Sequence, residues 1–122
     1  MTAGHLFDSY LTMYVPPSPP NELAPGQFER IAKALADPRR FAVLETIAGA
    51  EQECAYQAIC DRFPVTKATI SHHLKELVQA GLVESVREGQ YVQTRVRPGV
   101  LEAYAAELLR RTARVGAGEG LA

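Results

Sequence analysis

The spacing of apolar residues changes once along this chain, and the change limits the folds that are open to it. Up to Gly81 the apolar residues recur every three or four positions, which is typical of amphipathic helices. After Gly81 the period shortens to two over the runs 83–86 and 91–96, which predicts two β-strands. Gly89 lies between these runs and suits the positive φ of a tight hairpin turn. The pattern predicts a mainly α-helical domain with one small β-hairpin.

Four helical segments are predicted before the hairpin and one after it. Asp37 can cap the free N–H groups of the second helix, and Pro38 suits its first position. Pro64 closes a short third helix, and Thr66 is a plausible N-cap for the fourth. A short helix followed by a turn and a longer helix is helix-turn-helix geometry. With the hairpin added, the order describes a winged helix-turn-helix.

The fourth helix has the properties of a DNA-recognition helix. An α-helix fits the major groove, and side chains near its N-terminus reach the base edges. The candidate DNA contacts on this segment are Thr66, Lys67, Thr69, Ser71, His72 and Lys75. Arg87, Gln90 and Tyr91 of the hairpin and Arg39 of the second helix are candidates for backbone or minor-groove contacts. We expect His73, next to a buried leucine, to be a partly buried structural imidazole, and Arg40 to have an intramolecular partner.

The charge distribution agrees with a double-stranded DNA partner. The whole chain has a formal net charge of −1, which by itself would argue against nucleic-acid binding. The region 62–97, however, contains six basic and three acidic residues, a local net charge of +3. DNA responds to the local field, so this asymmetry favours binding.

Three stretches of the chain resemble the ArsR/SmtB family, the arsenic-repressor-like regulators. They are ALADPRRFAVL at 34–44, TISHHLKEL with AGLV at 69–83, and REGQY at 87–91. The likeness covers roughly 28–109. It implies a homodimeric repressor that dimerises through its first and last helices, and many members release DNA on binding a metal ion or another signal. The implied interface residues are Phe28, Ile31, Leu35, Leu101, Tyr104 and Leu108.

The usual metal ligands of that family are missing, so we expect no metal and no cofactor. The last helix has no His, Cys or Asp, and its Glu102 and Glu107 lie on different faces. Cys54 has a tyrosine two residues on, and Cys60 lies about 600° around a helix from it. We expect Cys60 to be a small buried hydrophobe and Cys54 a surface or cap residue. A thiol- or metal-responsive repressor that uses these cysteines is the alternative.

Other classes of protein are less compatible with the sequence. A winged-helix module that binds proteins instead of DNA would more often present an apolar face than a cationic one. No glycine-rich phosphate loop or catalytic triad spacing is visible, so an enzyme is not expected. The start of the chain lacks a signal peptide and no run is long enough to span a membrane, which predicts a cytoplasmic location.

The chain divides into three parts. Residues 1–24 form an N-terminal extension with a proline-rich spacer at 16–20, which we expect to pack against the partner subunit; a separate docking segment is the alternative. The winged helix-turn-helix domain covers 25–114, and 115–122 form a flexible tail.

Overall fold

A computed structural model of the protein describes residues 22–113. Five helices and a three-stranded antiparallel sheet make up this part of the chain, which is the predicted winged helix-turn-helix with one additional strand. The predicted tail lies outside the described residues, as does the N-terminal extension apart from its last three residues. The elements are α1 (Gln27–Leu35), α2 (Pro38–Ala48), β1 (Cys54–Ala55), α3 (Tyr56–Arg62), α4 (Lys67–Gln79), β2 (Val83–Glu88), β3 (Tyr91–Val96) and α5 (Val100–Thr112).

The start of α2 is formed as its sequence predicts. The Asp37 carboxylate accepts hydrogen bonds from the backbone N–H groups of Arg39 and Arg40, at 2.9 and 3.0 Å. These donors, that of Arg40 above all, hold the pKa of Asp37 below its ordinary value. Pro38 occupies the first helical position, where its missing N–H costs no hydrogen bond. The short link from α1 to α2 is therefore specified locally.

The end of α4 is a Schellman motif built on Gly81. The Gly81 N–H donates to the Val78 carbonyl at 2.9 Å, and the Leu82 N–H donates to the Leu77 carbonyl at 3.0 Å. Gly81 has a φ of +80°, a value that residues with a Cβ rarely adopt. The glycine turns the chain from α4 directly into β2.

The sheet has the strand order β1–β3–β2, and β1 is an element that the sequence did not predict. Cys54 pairs with Thr94 of β3, and the Thr94 hydroxyl donates to the Cys54 carbonyl at 2.7 Å. Cys54 is thus buried in the sheet, and the expectation of a surface or cap position was wrong. Two residues are too short to show a period, so only pairing with β3 defines this strand. Cys60 on α3 is half-buried.

One hydrophobic core lies between the helices and the sheet. Its fully buried large hydrophobic side chains come from the first four helices, the turn after α4 and the start of β2; they are Ile31, Val43, Ile59, Ile70, Leu74, Leu77, Leu82 and Val83. In α2 the predicted apolar face is shifted, since Phe41 is 42% exposed while Val43 is buried. From α5 only Val100 and Ala103 are buried, so much of that helix faces away from the core.

No helix in the range 22–113 combines the length and the apolar character that a membrane span requires.

Candidate nucleic-acid interface

The N-terminus of α4 is held by its own threonines. The Thr66 hydroxyl accepts from the Thr69 N–H at 3.1 Å, which confirms Thr66 as the N-cap, and the two hydroxyl groups lie 3.0 Å apart. The apolar side of α4 is buried, and Lys67 on the other side is exposed. The capped end therefore presents one cation and short hydroxyl side chains together.

The remaining predicted contacts on α4 differ in exposure. His72 is exposed, whereas Ser71 and Lys75 are half-buried. All three lie on the part of the helix that the core does not cover, so α4 carries a continuous polar face.

Ser71 is held by a residue that the sequence analysis did not single out as functional. The hydroxyl groups of Ser71 and Tyr56 are 2.8 Å apart, and the Tyr56 hydroxyl also donates to the Lys67 carbonyl at 3.3 Å. The apolar period marked Tyr56 as a core residue of α3, and nothing in that period indicates where its hydroxyl group points. Only the packing of α3 against α4 brings these groups together.

The two adjacent histidines are in different environments. His73 is only 6% exposed, as expected of a structural imidazole, and its Nδ1 atom has no hydrogen-bond partner among the described residues. Burial lowers the pKa of His73, while the Asp37 carboxylate opposes that shift. His73 is therefore uncharged at neutral pH and does not belong to the exposed polar face.

The wing presents its predicted contacts at the tip of the hairpin. Arg87, Gln90 and Tyr91 are all exposed, and Gly89 takes the positive φ of +65° that its place in the turn requires. The Gln90 amide donates to the Tyr91 hydroxyl at 3.4 Å. Arg87 pairs with Val92 and Tyr91 pairs with Glu88, so Arg87 and Tyr91 lie on opposite faces of the hairpin near its tip.

Some arginine side chains near this interface have partners within the protomer. The Arg95 guanidinium lies 3.3 Å from the Glu84 carboxylate and 3.9 Å from that of Glu53. The Arg40 guanidinium donates to the Ala34 carbonyl at 3.4 Å, so its intramolecular partner among the described residues is a backbone group and not a carboxylate. Arg39 is exposed at the start of α2.

Comparison with known proteins places this geometry in a family. A helix-turn-helix domain family matches residues 35–86, which run from the end of α1 into β2. The transcriptional repressor SdpR of Bacillus subtilis is 32% identical over 72 residues, which cover 59% of this chain and 78% of that protein.

Similar solved structures are also those of transcriptional regulators. A homodimeric winged helix-turn-helix DNA-binding domain from Mycobacterium bovis, a possible ArsR-family regulator, is 32% identical with a TM-score of 0.55, over 79% of this chain and 82% of that one. The chain belongs to the ArsR family. An ArsR-like transcriptional regulator from Rhodococcus sp. RHA1 is 28% identical with a TM-score of 0.59, over 76% of this chain and 92% of the other. This ArsR-family protein is a DNA-binding transcriptional regulator, and its relatives belong to a class of proteins that are not enzymes.

In this ArsR-family chain, α1 and α5 are joined by an aromatic and ionic cluster. The rings of Phe28 and Tyr104 lie 5.1 Å apart, and the Arg111 guanidinium lies 4.0 Å from the centre of the Phe28 ring. Arg111 also pairs with Glu29 at 3.2 Å and with Glu107 at 2.6 Å. The two terminal helices are thus held together within one protomer.

The residues predicted for the dimer interface do not all have free surface in this ArsR-family chain. Ile31 is fully buried in the core of the single protomer, so its side chain has no surface to offer a partner. Leu35 and Leu101 are half-buried. Leu108 is 40% exposed, and its neighbour Leu109, which the sequence analysis did not select, is 69% exposed.

The part of the chain that the structure describes has no group of three or more His, Cys, Asp or Glu side chains placed to hold a metal ion. Both cysteines are free thiols, and burial raises the pKa of Cys54 and of Cys60 above the ordinary value. The reactive thiolate form is therefore scarce at neutral pH.

Proposed function

We propose that this ArsR-family regulator is a homodimeric repressor that binds an inverted-repeat operator in duplex DNA and leaves it in response to a signal other than the usual metals. The observation that carries the proposal is the polar, exposed face of α4, with its capped N-terminus and Lys67 at the first helical position. SdpR, a relative at 32% identity, is a transcriptional repressor, which supports the same role here.

The contacts with DNA divide into two kinds. Side chains at the start of α4, Thr69 and Ser71 among them, reach base edges in the major groove. Lys67, Lys75 and Arg39 neutralise phosphates, and the tip of the wing follows the adjacent minor groove or backbone. Thr66 caps the helix through its hydroxyl group and is exposed, so it also contributes to the contact surface at the start of α4.

Dimerisation places two copies of α4 on one face of the duplex. The exposed Leu108 and Leu109 of α5 supply apolar surface for a partner, together with the half-buried Phe28, Tyr104 and Leu101. Homodimerisation of the Mycobacterium bovis domain supports this arrangement. A two-fold dimer meets half-sites one helical turn apart, about 34 Å, which requires an inverted repeat.

The inducing signal does not act through a metal site of the usual kind. The lack of a ligand cluster within residues 22–113 and the raised pKa values of Cys54 and Cys60 also argue against a repressor controlled by these thiols. Titration of the DNA-bound protein with Zn²⁺, Cd²⁺ and arsenite tests this point. Submicromolar binding that releases DNA would overturn it.

Selection of bound sequences from a pool of random duplexes tests the proposed function. The expected product is an inverted repeat whose half-sites are one helical turn apart, bound by two protomers per duplex. Affinity should fall steeply as the salt concentration rises, because phosphate contacts release counterions. Repression is then measured by transcription in vitro from a promoter that overlaps the selected site. A monomer that ignores every duplex at low ionic strength would refute the proposal and favour a protein-interaction module.

A further inference from the structure

Tyr56 links the two helices of the helix-turn-helix motif. It is the first residue of α3, its side chain is half-buried, and its hydroxyl group reaches across to α4. There it lies 2.8 Å from the Ser71 hydroxyl and 3.3 Å from the Lys67 carbonyl oxygen. One phenol group therefore contacts the first residue of α4 and the residue one turn further on.

The chemistry of these groups limits how Ser71 can face DNA. A serine hydroxyl has one donor and two acceptor sites, whereas the phenol group has a single proton to donate. When that proton goes to the Ser71 oxygen, the serine proton stays available for a base acceptor or a phosphate. When it goes to the Lys67 carbonyl, Ser71 must donate to Tyr56 and offers only acceptor sites outward. Burial raises the pKa of Tyr56, so the phenol keeps its proton at neutral pH.

We propose that Tyr56 is a positioning residue for DNA recognition, which sets the orientation of the Ser71 hydroxyl and of the first turn of α4 relative to the bases. The inference rests on the proposed function, since it requires that α4 reads DNA. Tyr56 acts through the Ser71 hydroxyl and the Lys67 carbonyl. It contributes to the preference for the operator sequence and not to the affinity for DNA phosphates that every duplex shares.

A purely structural role for Tyr56 makes a different prediction. If the phenol only stabilised the packing of α3 on α4, its loss would weaken binding to every duplex alike. The substitution Tyr56→Phe separates these roles because it removes the hydroxyl group and keeps the ring. Thr46→Val is the matched control, since it also removes one half-buried hydroxyl group and keeps the size of the side chain, on α2, where that hydroxyl donates to the Ala42 carbonyl at 2.9 Å.

The test measures dissociation constants for the selected operator and for an unrelated duplex of equal length, over a range of salt concentrations. For Tyr56→Phe we expect affinity for the operator to fall on the order of tenfold, as for the loss of a hydrogen bond that positions a base contact. Affinity for the unrelated duplex and the salt dependence should not change, because phosphate contacts determine both. Thr46→Val should alter neither affinity.

A double-mutant cycle with Ser71→Ala tests the route of the effect. If Tyr56 acts through Ser71, the double variant should lose little more operator affinity than Ser71→Ala alone, because residues in one hydrogen-bonded network are not additive. Thermal unfolding of each variant shows that the comparison is made on folded protein.

Three results would overturn the inference. They are an unchanged preference for the operator in Tyr56→Phe, an equal loss of affinity for both duplexes, and full additivity with Ser71→Ala. If the wild-type protein itself shows no sequence preference, the proposed function fails and the inference fails with it. If the wild type is selective and only Tyr56→Phe has no effect, the inference alone is refuted.

Discussion

The Gln27 side-chain amide donates a hydrogen bond to the Ala80 carbonyl oxygen at 2.9 Å and so ties the first residue of α1 to the residue that follows α4. The Gln27 carbonyl oxygen accepts from the Ala24 N–H at 2.8 Å, and the side chain is buried. A helix proposed for dimerisation is thus joined to the end of the helix proposed to read DNA.

Replacing Gln27 by alanine should destabilise the fold. The Ala80 carbonyl would lose a buried partner, and an unsatisfied buried polar group costs about 1–3 kcal/mol. We expect a loss of that size in the free energy of unfolding, measured with urea. Gln52→Ala, at an exposed position, is the control and should change the free energy by less than about 0.5 kcal/mol. Equal stability of the two variants would contradict the role given to Gln27.

Gly81→Ala should cost more than the same change at Gly99. Both glycines have nearly the same φ, +80° and +81°, so both variants bear the left-handed penalty of about 1–2 kcal/mol. A Cβ at Gly81 would lie 2.5 Å from the Gln27 amide nitrogen, while a Cβ at Gly99 would meet no heavy atom within 4 Å. The difference in unfolding free energy between the two variants measures this clash. It should shrink when Gln27 is also alanine, and a difference that persists there would locate its cause elsewhere.

Protonation of His73 should lower stability in mild acid. Burial holds the pKa of His73 in the folded protein below the ordinary value of about 6.5, so the unfolded chain binds a proton more readily. Stability is therefore highest above that ordinary value and falls as the pH drops through the folded pKa. Asp37 opposes the shift, and Arg40, His72 and Arg39 add to it.

The pH effect is measured as the free energy of unfolding between pH 7 and pH 5 in the wild type, His73→Gln and His72→Gln. The dependence on pH should be flattest in His73→Gln, which removes the buried imidazole, and His72→Gln should flatten it less, because the charge of His72 is only one of several causes of the shift. Equal profiles for all three proteins would assign the acid sensitivity to other groups.

Lys67→Ala should weaken DNA binding and reduce its dependence on salt. Each phosphate contact that is lost lowers the slope of log affinity against log salt by about 1, and the loss should be similar for all sequences. Fluorescence anisotropy at several salt concentrations gives both quantities. Lys33→Ala is the matched control, as an exposed lysine on α1. An unaltered slope in Lys67→Ala would remove this residue from the interface.

Leu108→Glu should convert the proposed dimer into a monomer. A charge placed in an apolar interface must be desolvated without a partner, and that cost opposes association. Sedimentation equilibrium gives the mass of the particle in solution. Phe41→Glu serves as the control, because Phe41 on α2 is exposed to a similar extent, 42% against 40%, and lies outside the proposed interface. A Leu108→Glu protein that remains dimeric would place the interface on another surface.

Local signals accounted for most of the element boundaries. Asp37 with Pro38, and Thr66, each stop or start a helix through hydrogen bonds to neighbouring residues, so their effect can be predicted without the rest of the chain. The same holds for Gly81 and Gly89, because a residue without a Cβ adopts a positive φ at little cost. The helix order, the hairpin and the polar face of α4 follow from such signals and from apolar spacing.

Contacts between distant residues could not be predicted in this way. The Tyr56 hydroxyl meets the Ser71 hydroxyl 15 positions away, and the Gln27 amide meets the Ala80 backbone carbonyl 53 positions away. Periodicity does not define where the polar groups of Tyr56 and Gln27 point. Strand β1 exists only through its pairing with β3. Ile31 shows the same limit. The apolar period of α1 shows that Ile31 is buried, but it does not show whether the core of the protomer or a partner subunit buries it.

By itself, the sequence determined where the helices and the two hairpin strands begin and end, and it determined which side of α4 is polar. Those properties depend on residues within a few positions of one another, whose backbone preferences and capping bonds act locally. The tertiary structure alone decided which apolar residues are buried within one protomer and which hydroxyl and amide groups hold α4 in place. Burial and long-range hydrogen bonds depend on how the elements pack, and that arrangement is a property of the whole domain.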